Sequence, residues 1–248
     1  MKQRRKWQRV RSPVQSIAAV NGTIFVGGQE EAVLLRVTAA GKVERLDGFD
    51  KVPGRSEWFA GGPPLGVRSL TAAMGGDVLL AAVHVGGIPR SSDGGDSWTP
   101  TIPVMFDVHE VCSHPHLSNL VAAAAAAGLC VSTDGGLNWK VFSEGLEGMT
   151  CLAVGVLQSE VLFSVQDGPF AKQSQVWRWR IGSEHIEQLL EGLPTWFDGK
   201  VDTYGIASGQ DRAAIVDAGG NLWLSVTGSE GWKRIAQNVP YALGLAIL

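Results

Sequence analysis

Apolar residues in this chain fall into short runs, many of them alternating with polar neighbours. Each run breaks off at a cluster of Gly, Asp, Ser or Pro. Such runs read as β-strands and not as helices, because alternation sends successive side chains to opposite faces of a sheet. Residues 108–112, 120–126, 128–132 and 139–142 make four consecutive strands separated by turns, the content of one small antiparallel sheet. The same four-run pattern recurs upstream at 17–20, 24–26, 33–37 and 43–46, and at 67–72, 78–83, 88–90 and 98–102. It recurs downstream at 151–156, 161–165, 176–181 and 186–190, and at 204–207, 213–216, 222–226 and 232–235.

A turn motif marks the same period. Ser91-Ser92-Asp93-Gly94-Gly95-Asp96-Ser97-Trp98 and Ser132-Thr133-Asp134-Gly135-Gly136-Leu137-Asn138-Trp139 stand 41 residues apart, a spacing of one four-stranded propeller blade. A degraded third copy spans 225–232 and keeps Ser225 and Trp232 but has Thr227 in place of Asp. The chemistry is that of a locked hairpin. Asp tolerates positive φ and its carboxylate accepts backbone N–H groups, the paired Gly residues supply left-handed turn conformations, and Trp opens the next strand. Ser91, Asp93, Gly95, Trp98, Ser132, Asp134, Gly136, Trp139 and Trp232 are therefore structural residues.

Periodic four-stranded units predict an all-β fold, a single β-propeller domain over residues 1–248. Two pieces are left over. Residues 6–10 resemble 138–142, a fourth strand, and 241–248 resemble 149–156, a first strand. Strand edges left open invite mispairing, so a ring should close. Sharing one split closing blade between the chain ends gives six blades; five blades with both strands as extras is the alternative.

Composition narrows the class. Across 248 residues, 45% are hydrophobic and 18% charged, an ordinary globular balance. The formal net charge of −3 disfavours an electrostatic grip on nucleic acid, Lys2–Lys6 notwithstanding. Cys112, Cys130 and Cys151 sit in apolar runs and form no disulfide framework. With no apolar segment behind the basic start, no signal peptide is read, and the cytoplasm is expected. No window approaches ~18 consecutive apolar residues, so no membrane span is expected.

The motif Ser-x-Asp-Gly-Gly-x-x-Trp at blade spacing resembles the Asp-box, or bacterial neuraminidase, repeat family. Asp107-Val108-His109-Glu110-Val111 with His114-Pro115, Val85-Gly86-Gly87 ahead of Asp93, and Tyr241-Ala242-Leu243 resemble its bacterial glycosyl-hydrolase-like members and propellers of the photosystem II assembly factor type. The resemblance implies a propeller with the motifs on one rim. It implies no activity, because one scaffold hosts many functions. A sialidase is not expected: only Tyr204 and Tyr241 are present, and the Arg-Ile-Pro element is absent.

Two functions remain open. One is a non-catalytic scaffold whose face, carrying Trp58, Phe59, Arg68, His84, Asp107, His109, Trp196 and Tyr204, holds a protein, peptide or glycan. The other is a carbohydrate-active hydrolase or lyase using Asp107 or Glu110 beside His109, since such chemistry needs two carboxylates at a fixed separation. The Trp-Phe pairs at 58–59 and 196–197 suggest a shared aromatic rim. His114 and His116 lack a third ligand, so no metal is expected, and no phosphate-cradling loop calls for a cofactor.

Overall fold

The computed structural model describes residues 13–247 apart from 63, 169, 210, 227–230 and 241. Five antiparallel sheets follow one another along the chain. The first holds β1 (Val14–Val20), β2 (Thr23–Gly28), β3 (Leu34–Val37) and β4 (Val43–Arg45). The second holds β5 (Gly66–Ala73), β6 (Val78–His84), β7 (Pro89–Ser91) and β8 (Thr99–Pro100). The third holds β9 (Val108–Ser113), β10 (Val121–Ala125), β11 (Gly128–Ser132) and β12 (Lys140–Phe142). The fourth holds β13 (Thr150–Val156), β14 (Glu160–Gln166), β15 (Gln173–Arg180) and β16 (Ile186–Gln188), with β17 (Phe197–Asp198) paired to the free end of β15. The fifth holds β18 (Ile206–Ser208), β19 (Arg212–Val216), β20 (Leu222–Val226) and β21 (Lys233–Ala236). Within each sheet the strands pair in chain order, as hairpins demand.

The first strands of successive sheets pack on one another: β1 on β5, β5 on β9, β9 on β13 and β13 on β18. Polar side chains tie them at the blade spacing. Ser69 Oγ donates to the Val111 carbonyl at 3.1 Å and accepts the Val111 N–H at 3.1 Å, and the hydroxyls of Thr71 and Ser113 meet at 2.9 Å. The hydrophobic core lies between sheets. One cluster joins the first two around Phe25, Phe49, Trp58 and Trp98; others join the second to the third, the third to the fourth, and the fourth to the fifth. Small antiparallel sheets stacked face to face through successive first strands make a β-propeller fold.

The hairpin locks form as the residue types dictate. Ser91 Oγ donates to Asp93 Oδ1 at 2.7 Å and accepts the Gly95 N–H at 2.9 Å, while Asp93 Oδ1 accepts the Ser97 N–H at 2.9 Å. Ser132 and Asp134 repeat this, with Oδ1 of Asp134 taking the N–H groups of Leu137 and Asn138 at 3.0 and 2.9 Å. Gly94, Gly95, Gly135 and Gly136 all have positive φ, whereas Asp93 and Asp134 do not, so the carboxylate serves as an acceptor only. The two Trp residues differ. Trp98 Nε1 folds back onto the Gly95 carbonyl at 2.8 Å, while Trp139 Nε1 reaches Thr101 Oγ1 in the neighbouring sheet at 3.1 Å.

The strand expected at 6–10 lies outside the described residues, as do Tyr241, Leu248 and residues 227–230 of the degraded motif. Residues 242–247, expected to be strand, take no strand pairing; the Leu245 N–H instead donates to the Tyr204 carbonyl at 2.9 Å.

Candidate functional site

Three elements bring the expected polar residues together. His84 is the last residue of β6, Asp107 caps the short 3-10 turn Val104–Phe106 with φ 49°, and His109 is the second residue of β9. An αL Asp before a strand is a familiar exception to the steric rule, and the Ala126 N–H pins it by donating to the carbonyls of Phe106 and Asp107. His84 Nε2 stands 3.2 Å from Asp107 Oδ1, and His109 Nε2 stands 3.7 Å from Asp107 Oδ2. The two imidazole rings are 5.3 Å apart, centre to centre. Both histidines are buried, while the Asp107 carboxylate is partly open to solvent.

The proton on His109 follows from its partner. Nδ1 lies 2.7 Å from the Cys151 carbonyl, which can only accept, so Nδ1 carries the hydrogen and Nε2 presents a lone pair towards Asp107. Burial drives the His109 pKa down to about 3, with Arg68 and His84 adding to the shift. Burial also lowers that of His84, against the opposing pull of the Asp107 carboxylate. His109 is therefore neutral at pH 7.

Beside this trio, Arg68 on β5 is held by the loop ahead of β18. Its Nε donates to Thr203 Oγ1 at 3.0 Å and its Nη2 to Asp202 Oδ1 at 3.2 Å, while Tyr204 Oη donates to the Arg68 carbonyl at 2.9 Å. Glu110 faces the interior. Its Oε2 accepts the N–H groups of Val154 and Tyr204, both at 3.0 Å, and burial raises its pKa to about 8. A cavity of about 210 Å³ lined by Lys200, Asp202, Thr203 and Asp217 opens next to the Arg68 clasp.

The sequence-derived candidates thus sort into groups. Asp107, His109 and His84 converge; Arg68, Tyr204 and Glu110 form a second knot beside them. Asp107 and Glu110 engage different partners and share none. Trp58 is a core residue, tilted against Phe49 at 5.5 Å with the Arg55 guanidinium 4.6 Å over its ring. Its neighbour Phe59 is exposed but exchanges backbone hydrogen bonds with Val85, next to His84. The second pair is inverted: Phe197 is fully buried and packs edge-on against Trp223 at 4.7 Å, while Trp196 is exposed. The two pairs are therefore not equivalent, because β17 turns Phe197 inward. His114 is spent on structure: Nε2 contacts the Gln158 carbonyl at 3.1 Å and Nδ1 accepts the N–H groups of His116 and Leu117. The residue that sequence reading overlooked is Thr203, whose type and position in a loop carry no distinguishing signal.

No family model and no curated protein matches the chain. Solved structures do. An ancestral GH74 enzyme has a TM-score of 0.66 at 15% identity over 90% of this chain and 33% of its own. PorZ, a surface component of the type-IX secretion system of Porphyromonas gingivalis, gives 0.63 at 14% identity over 92% of this chain and 28% of its own. YCF48 bound to D1 peptide gives 0.55 at 11% identity over 93% of this chain and 69% of its own. This chain spans about a third of the GH74 enzyme's length. At these identities the likeness is one of fold, and the three serve different ends. Among the described residues, no helix is long and apolar enough to cross a membrane.

Proposed function

We propose that this chain is a non-catalytic binding propeller of the Asp-box type that holds an extended peptide on the face carrying Arg68, His84, Asp107 and His109, with the exposed Phe59 and Trp196 as aromatic contacts. The observation that carries this reading is the disposition of the carboxylates. Glycoside hydrolysis asks for two carboxyl groups flanking one bond. Here Glu110 is committed to two backbone N–H groups inside the protein, which leaves Asp107 as a single carboxylate beside two imidazoles. The exposed Phe59, bonded through its backbone to Val85 next to His84, sets an aromatic ring beside polar groups held in place, which suits recognition by rigid anchors. The peptide held by YCF48 supports the choice of ligand class. A reducing compartment such as the cytoplasm suits three thiols that form no disulfide.

The ring itself is proposed to close as six blades. Ile17 and Ile24, on the face of the first sheet turned away from the second, are 63% and 42% exposed among the described residues. A covering blade would account for that apolar face. Ile17→Asp then costs about 1–3 kcal/mol; a neutral effect speaks for five blades.

The binding reading is tested by passing the full chain over a random peptide array and a glycan array, with turnover of the arrayed glycans assayed in parallel. Retention on peptides, weakened about tenfold by Phe59→Ala or Trp196→Ala, supports it. Turnover of a glycan overturns it.

A further inference from the structure

His84, Asp107 and His109 present three donor atoms to one point, all within 4.8 Å of one another. A four-coordinate ion with bonds of about 2.0–2.1 Å sets its ligand atoms about 3.3 Å apart. His84 Nε2 stands 3.2 Å from one Asp107 oxygen and His109 Nε2 3.7 Å from the other, both near that edge. The His109 tautomer fits as well. A metal-ligating histidine characteristically gives its other N–H to a carbonyl or carboxylate, which fixes the ring and leaves the lone pair for the ion. His109 does this through Cys151.

A plain His–Asp hydrogen-bond network explains the trio less well. Asp107 Oδ1 is buried and has no hydrogen-bond partner among the described residues, although a ring nitrogen lies 3.2 Å away. Buried polar atoms left unsatisfied cost roughly 1–3 kcal/mol each. A cation at the focus would engage the Asp107 oxygen directly. The nearby positive charge of Arg68 is turned towards Asp202 and Thr203. We propose that His84, Asp107 and His109 form a binding site for one divalent first-row ion of the zinc class. Two imidazoles and a carboxylate suit such borderline cations better than Mg²⁺ or Ca²⁺, which favour oxygen shells. Three protein ligands leave a position on the solvent side of Asp107 for water or a ligand group. The proposal departs from the sequence reading, which expected no metal, and does not depend on peptide binding.

The full chain, stripped with chelator, is titrated with zinc by calorimetry and with Co(II) by visible absorption. One equivalent should bind, Co(II) should show the d–d bands of a low-coordinate nitrogen–oxygen site, and zinc should raise Tm by mass action. His84→Gln, His109→Gln and Asp107→Asn should each lower affinity by about 100-fold or more. The surface variant His116→Ala with His185→Ala should bind as the parent does. Circular dichroism establishes that each variant folds. If the ligand variants do not fold, the Co(II) titration of the His116→Ala, His185→Ala chain decides alone. The proposal is overturned by an aquo-type Co(II) spectrum there, by no stoichiometric uptake in the parent, or by uptake that survives loss of both His84 and His109.

Discussion

Tyr204 Oη donates a 2.9 Å hydrogen bond to the main-chain carbonyl of Arg68, 136 residues earlier in the chain. The contact ties the loop before the fifth sheet to the first strand of the second. It also holds Tyr204 at φ 62°, a conformation a bulky residue adopts only when its surroundings impose it. Tyr204→Phe keeps the ring but orphans the carbonyl, and should destabilise by about 1–2 kcal/mol. Urea unfolding of the two proteins at equal m-value measures it, and no change would mean that the clasp contributes nothing to stability.

A second expectation concerns acid. Hydrogen bonds centred on Ser97 hold the Asp93 pKa at about 2. Burial pushes Asp134 the other way, yet its bonds from Asn138, Ser132 and Leu137 prevail and also leave it at about 2. Both folded values lie below the ordinary 3.8, so each carboxylate adds stability above about pH 4 that is lost as pH falls towards 2. Solvent screening at these exposed turns limits the effect to about 1 kcal/mol each. Asp93→Asn and Asp134→Asn should flatten the stability profile between pH 4 and 2, read by thermal melts at fixed ionic strength.

Glu110 offers a test of side-chain shape against charge. Both N–H donors converge on the same oxygen, Oε2. Glu110→Gln retains one carbonyl oxygen for them and should stay within about 1 kcal/mol of the parent. Glu110→Ala leaves two buried N–H groups without an acceptor and should cost about 2–4 kcal/mol. Equal losses for the two variants would show that the carboxyl group itself is required.

How much of this was readable beforehand depends on the range of each interaction. The five sheets were legible because alternation and the Ser-x-Asp-Gly-Gly-x-x-Trp turns are local signals, complete within one hairpin. β17 was not, since two residues pairing with a strand some twenty positions back leave no periodic trace. The polar face was legible as a set of residue types: Arg68, His84, Asp107, His109 and Tyr204 all stood out. Their place on one face was expected too, but not the pairing of His84 with Asp107, because His84 ends a second strand in one sheet and Asp107 precedes the first strand of the next. Only the packing of β6 on β9 brings them together. The Arg68–Tyr204 clasp, a contact across three sheets, had no sequence signature at all.

The two Trp-Phe pairs look alike in sequence and should behave as opposites. Trp58 and Phe197 are 8% and 1% exposed, whereas Phe59 and Trp196 are 46% and 40% exposed. Trp58 anchors the cluster between the first two sheets, with Gly86 close against its ring and Arg55 stacked over it. Phe197 does the same between the fourth and fifth sheets, against Trp223. Truncating either removes a large buried ring and leaves a cavity, at a cost of about 3–5 kcal/mol. Phe59→Ala and Trp196→Ala remove rings that are already about half in solvent and should cost clearly less, about 0.5–1.5 kcal/mol. Denaturant midpoints for the four single variants separate the cases. If Trp58 and Trp196 turned out to be the costly residues, the loops would be equivalent after all and the inward turn made by β17 would be wrong.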